Sequence, residues 1–131
     1  MRLCGQQAVW NYEEENGILT IQGVGAMEDY TEPEQVPWNS LMQEIKVVVI
    51  RDGITTVGDY AFAGCSNLQE VTLPGSVEIV GVFSFKGCTG LREIVIPEGV
   101  RVLASKAFQF CSALKKVYLP STLIDVDMRA F

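Results

Sequence analysis

The sequence predicts a solenoid, in which 23-residue coils stack on one another and each adds a short strand to a parallel β-sheet. Three observations predict it. Phenylalanine recurs at Phe62, Phe85, Phe108 and Phe131 without insertion. In the same register come Cys65, Cys88 and Cys111, each followed by a Leu-x-x-Val/Ile-x-Leu/Ile-Pro segment beginning at Leu68, Leu91 and Leu114. Two more apolar columns, Ile54, Val77, Val100, Leu123 and Val57, Val80, Leu103, Val126, complete the coil. A fixed period of this length marks units that bury their apolar faces only against their neighbours.

Residues 1–45 fall outside the period and read as an N-terminal cap. Ala8, Trp10 and Tyr12 alternate with polar neighbours, as do Leu19 and Ile21, across Asn16-Gly17, which predicts a β-hairpin with one apolar face. An acidic, proline-containing loop runs from Glu28 to Pro37. Trp38, Leu41, Met42 and Ile45 follow at helical spacing and predict a short amphipathic helix. Residues 46–131 hold three complete 23-residue units and partial units at each end; an incomplete earlier rung carries Ile45, Val48 and Ile50 in the strand columns.

Each position of the coil has a physical reading. Val71 and Leu73 point into the core while Glu70 and Thr72 point away, as alternation in a strand requires. Proline lacks the N–H a ladder needs, so Pro74, Pro97 and Pro120 end successive strands at one height. The Ala-Phe-x-x-Cys stretch predicts a single tight helical turn with Phe and Cys inward. Gly64 and Gly87 precede two of the cysteines, but Phe110 precedes the third, which predicts that no glycine-only backbone angle is needed there. Ordering one coil costs on the order of 1.5 kcal/mol per residue, against about 1.5–3 kcal/mol for each buried side chain, so a coil alone does not fold.

Charge narrows the partners. Residues 1–45 hold Glu13, Glu14, Glu15, Glu28, Asp29, Glu32, Glu34 and Glu44 against Arg2 alone, while the rest is nearly balanced, giving a net charge of -6. An acidic chain without a basic stripe lacks the phosphate-neutralising groups that nucleic-acid binding requires, so no nucleic-acid partner is expected. No apolar run approaches the roughly 20 residues needed to cross a bilayer, and no membrane insertion is expected. Met1-Arg2-Leu3-Cys4 leads into polar Gly5-Gln6-Gln7, so either the chain is cytoplasmic or an export signal has been removed.

Val57-Gly58-Asp59-Tyr60-Ala61-Phe62-Ala63-Gly64-Cys65-Ser66-Asn67-Leu68-Gln69-Glu70-Val71-Thr72-Leu73-Pro74 closely resembles the repeat of the BspA-like, or Treponema-type, leucine-rich-repeat family. The front segment is similar to members from gut bacteria at Cys4-Gly5, Trp10, Leu19-Thr20-Ile21, Gly23-x-Gly25-Ala26-Met27 and Pro37-Trp38. The resemblance implies a right-handed leucine-rich-repeat solenoid with its parallel sheet on a concave face, cell-surface display or secretion, and adhesion to host proteins or other cells. Ser84 departs from the family's usual alanine, and Leu103-Ala104 and Val126-Asp127 from its usual Ile-Gly.

The sequence contains no histidine, which removes histidine-based triads and the commonest metal ligand. The in-register cysteines read as a ladder of buried free thiols rather than a redox or metal column. The acidic loop lacks the ordered spacing and turn glycine of a calcium loop, so it reads as solvated. No catalytic residue, metal or cofactor is expected, and the chain reads as non-enzymatic. The binding candidates are outward strand residues, which stacking places in columns about 4.8 Å apart. One column is Val47, Glu70, Glu93, Lys116; the next is Val49, Thr72, Val95, Tyr118, flanked by Gln69, Arg92 and Lys115. Glu70, Thr72, Arg92, Glu93, Val95, Lys116 and Tyr118 are the site residues this predicts, for a host extracellular protein or another cell-surface ligand. The competing readings are a passive spacer and a targeting segment of a larger enzyme. Leu119, Val126 and Phe131 are expected to be poorly covered, so that either further repeats follow or two copies associate through that end.

Overall fold

The computed structural model describes residues 2–131. Its strands are β1 (Ala8–Glu13), β2 (Ile18–Gly23), β3 (Gly25–Ala26), β4 (Val47–Ile50), β5 (Ile54–Val57) and β6 (Glu70–Thr72). They continue as β7 (Ile79–Val80), β8 (Glu93–Val95), β9 (Val102–Leu103), β10 (Lys116–Tyr118) and β11 (Asp125–Val126). β1 and β2 form the expected hairpin, with Trp10 opposite Ile21 and Tyr12 opposite Leu19, and Gly17 takes the left-handed turn position at φ 68°. β2 then pairs in parallel with β4, setting Leu19 beside Val48 and Ile21 beside Ile50. The hairpin therefore supplies the first layer of the same sheet that the coils extend.

Parallel pairing follows the 23-residue register. Val48 lies beside Val71, and Ile94 beside Val117. A second parallel sheet, in the order β11-β9-β7-β5-β3, runs through the columns that begin at Ile54 and Val57. Sequence reasoning placed these residues inward but not in strands, because segments this short show too little alternation to separate strand from turn. Phe62, Phe85 and Phe108 are almost wholly buried, and their rings stack with centroids 5.3 and 5.4 Å apart. Trp38 heads this column 5.6 Å from Phe62, its indole N–H donating to the Ala61 carbonyl at 2.8 Å.

The helical elements expected from sequence are corrected. The segment beginning at Trp38 is a 3-10 turn over Asn39–Leu41 followed by turns, with one α-type bond from Ile45 N–H to Leu41 O. Trp38, Met42 and Ile45 are buried as helical spacing implied, but so short a segment gains too few intrahelical bonds to offset nucleation.

The Ala-Phe-x-x-Cys turn is not helical either. Ala61, Ala63 and Cys65 N–H bond back to Gly58, Tyr60 and Phe62 carbonyls, while the amides that alternate with them, Tyr60, Phe62 and Gly64, donate to Val82, Ser84 and Lys86 of the next coil at 3.0, 2.8 and 2.7 Å. Amides that alternate direction require left-handed residues, and Tyr60 and Gly64 stand at φ 63° and 83°. Phe110 takes φ 63°, as Gly64 and Gly87 take 83° and 73°, so the left-handed angle recurs at this position but is not one that only glycine adopts, in line with the expectation drawn from Phe110.

Candidate functional site

All seven sequence-predicted binding residues are exposed. Register aligns them as expected, with Glu70 beside Val47 and Thr72 beside Val49, and Lys116 beside Glu93 and Tyr118 beside Val95. Stacking sorts them into two unlike rows. Glu70, Arg92, Glu93 and Lys116 line one open groove of about 710 Å³ with Ser66, Asn67, Gln69, Gly90 and Lys115. Thr72, Val95 and Tyr118 stand in the next column, outside the groove lining. Val95 and Tyr118 are 56% and 52% exposed, so this row offers an apolar and aromatic edge.

The groove lies where the sheet opens. Gln69 and Glu70 N–H both donate to Lys46 O, and Lys115 and Lys116 N–H both donate to Arg92 O. Among the described residues the equivalent bonds from Arg92 and Glu93 to Gln69 are absent, and β6 and β8 are not paired. The facing strand groups of β6 and β8 are therefore not paired with each other at the groove, between Gln69 and Glu70 of one coil and Arg92 and Glu93 of the next. No residue pattern announced this break, since the 23-residue period passes through it without interruption.

The groove's charges are ordered. Glu70 and Glu93 lie on the two coils nearer the hairpin, Arg92 adjoins Glu93, and Lys116 opens the last strand of the face with Lys115 just before it. Gly90 sits at the turn side with its ideal Cβ position 2.9 Å from Ser66 O, so a side chain there would force the two coils apart.

The four cysteines are free. Cys65 and Cys88 are buried and Cys111 half-buried. Cys88 and Cys111 thiols donate to the Phe62 and Phe85 carbonyls at 3.3 and 3.1 Å, while Cys65 contacts Met42 Sδ. Burial pushes the Cys65 thiol up to about 12, and Cys88 is raised by its hydrogen bond to Cys111 and by burial. Cys4, whose place in the sequence carried no interpretation, is also buried and is pushed up to about 12 by burial and by Glu28. Among the described residues no group of three or more His, Cys, Asp or Glu side chains is placed to hold a metal ion. In the acidic loop, Asp29 accepts a hydrogen bond from Asp59 N–H at 2.9 Å.

Parallel strands repeating every coil, an inward aromatic column and tight inter-coil turns define a leucine-rich-repeat protein. Residues 40–131 match the BspA type leucine rich repeat region (6 copies), and the chain belongs to that family. A leucine-rich repeat protein from Eubacterium ventriosum, 23% identical, superposes with a TM-score of 0.73 over 95% of this chain and 38% of its own length. One from Bacteroides ovatus, 32% identical, has a TM-score of 0.61 over 64% of this chain and 21% of its own. A leucine rich cell surface protein from Faecalibacterium prausnitzii, 21% identical, gives 0.56 over 100% of this chain and 46% of its own. The chain thus spans less than half the length of each of these three. None of the curated proteins matches it.

Proposed function

We propose that this chain is a non-catalytic adhesion module of a bacterial surface or secreted protein, and that it binds an extended segment of a host extracellular or cell-surface protein along the sheet face. The observation that carries this reading is the groove across three coils, where β6 and β8 are not paired with each other and the charges are ordered. An extended peptide brings its own N–H and C=O groups to such a gap and its side chains to such walls. Tyr118 and Val95 supply the apolar contact beside it, and exposed aromatic residues are where truncation most often weakens binding. Surface display is supported by the family and by the name of the Faecalibacterium prausnitzii protein.

The test is attachment of the purified chain to immobilised host matrix proteins and cells, before and after alanine substitution of Glu70, Glu93, Lys116 and Tyr118. We expect attachment to fall, with Tyr118→Ala alone weakening it by roughly tenfold, as a lost contact of about 1–2 kcal/mol implies. A passive spacer would keep the attachment of its parent protein unchanged in all four variants, and that result would end the recognition reading.

A further inference from the structure

On the turn side of the coils a second cluster joins Tyr60, which packs against the edge of the core, to Phe83, Phe110, Lys86 and Lys106. The rings of Tyr60 and Phe83 lie 4.9 Å apart at 33°. Lys86 places its ammonium 4.9 Å from the Phe83 centroid and 5.8 Å from that of Phe110, and Lys106 places its own 5.5 Å from Phe83. Tyr60, Phe83 and Lys106 occupy one column at φ 63°, 57° and 57°. Their amides are tied to the next coil, to Val82, Ser105 and Arg129 carbonyls at 3.0, 3.3 and 2.9 Å. The left-handed backbone is held by these bonds, so the side chains emerge from a fixed frame. Beside them opens a groove of about 530 Å³ whose walls include Pro33, Met42, Tyr60 and Lys86 and no carboxylate.

We propose that this aromatic and lysine cluster, with its groove, is a second binding surface that takes an acidic polypeptide segment bearing apolar or aromatic side chains. Charge complementarity argues for an acid. Lys86 and Lys106 place their ammonium groups 4.9 and 5.5 Å from the Phe83 ring centre, and an anion seated beside them is attracted by both. Asp59, the carboxylate next to Tyr60 in sequence, has its Oδ1 engaged by the Val82 N–H at 2.8 Å. The aromatic wall argues for a polypeptide over a saccharide. Two cations already sit over the Phe83 ring, where a sugar would need a free face, whereas a carboxylate pairs with those cations and an adjacent apolar side chain enters between Pro33 and Tyr60.

The test is fluorescence anisotropy with the whole chain and three labelled probes: a short peptide alternating glutamate and tyrosine, its counterpart with glutamine for glutamate, and a chondroitin sulfate oligosaccharide. We expect the acidic peptide to bind, to weaken as salt rises, and to lose roughly tenfold or more in affinity in the Lys86→Gln/Lys106→Gln double variant. Phe83→Leu, which keeps apolar bulk but removes the ring, is expected to weaken binding while the chain still melts cooperatively. Glu70→Ala and Lys116→Ala should leave this binding unchanged, which separates its fate from that of the sheet-face reading. Failure of the acidic peptide to bind, equal binding of the glutamine peptide, tighter binding of the saccharide, or full affinity in the double variant would each overturn the proposal.

Discussion

Ser84 Oγ is buried among apolar side chains with no hydrogen-bond partner, and the same column holds Ala61, Ala107 and Ala130, all fully buried. A buried hydroxyl left unpaired costs on the order of 1–3 kcal/mol. Ser84→Ala is therefore expected to raise the melting temperature, by a stabilisation of about 1 kcal/mol, and calorimetry checks it; a lower melting temperature would mean the hydroxyl is bonded. Cys65 gives a second expectation at this scale. Its folded thiol titrates near 12, while an unfolded thiol titrates near 8.5. Both states keep the proton at neutral pH, so the contribution is complete there. Between the two values only the unfolded chain releases it, so stability falls as pH rises through that window, by at most about 1.4 kcal/mol per pH unit for this one thiol. Urea midpoints measured from neutral to alkaline pH should bend downward near pH 8.5–9, and Cys65→Ala should soften the bend.

Single coils are where sequence reading succeeded and where it reached its limit. The Phe62, Phe85 and Phe108 column was legible because an inward position repeats with the coil, and the rings stack within 22° of parallel. Phe85 has an aromatic neighbour on both faces. Phe85→Ala is expected to cost roughly 3–5 kcal/mol by leaving a cavity in the middle of the stack, read as a shift in the denaturant midpoint; an unchanged midpoint would place the ring outside the core. Trp38 was not legible as the head of this column, since it precedes Phe62 by one residue more than the period and its spacing to Met42 and Ile45 imitates a helix. Ser76 and Thr122 were missed for another reason. They accept from Gly53 and Gly99 N–H at 3.0 and 3.1 Å and donate to Ile54 and Val100 O at 2.7 Å, but Gly99 itself occupies the intervening coil's position in that column, which breaks the pattern. The candidate face was legible as two outward columns. The charged column and the Thr72, Val95 and Tyr118 column beside it can both be read from the sequence, but the missing pairing between β6 and β8 cannot, because the period runs through it unbroken.

Across the whole molecule, stability is close to a sum of coil terms and coil–coil interfaces, so the interface beneath the groove is where that sum is smallest. The turn amides of Tyr60, Phe62 and Gly64 still cross it, β5 still pairs with β7, and the Phe62–Phe85 stack is intact. Only the strand bonds are lost. Each net hydrogen bond contributes about 0.5–1.5 kcal/mol, so losing two or three weakens this junction without severing the molecule. Native-state hydrogen exchange should report the difference amide by amide. Arg92 and Glu93 are expected to exchange faster than Gln69 and Glu70 one coil earlier, and faster than Lys115 and Lys116 one coil later, although all six occupy equivalent positions. A simple gradient from one end of the stack to the other would instead order them by coil, with Arg92 and Glu93 in the middle, and would mean that the sheet is continuous in solution. If the expected order holds, a ligand that fills the groove by strand-like contacts must slow Arg92 and Glu93 selectively. A ligand held on the lysine and aromatic cluster of the turn side should leave those two amides as they were, so one exchange experiment distinguishes occupancy of the two surfaces.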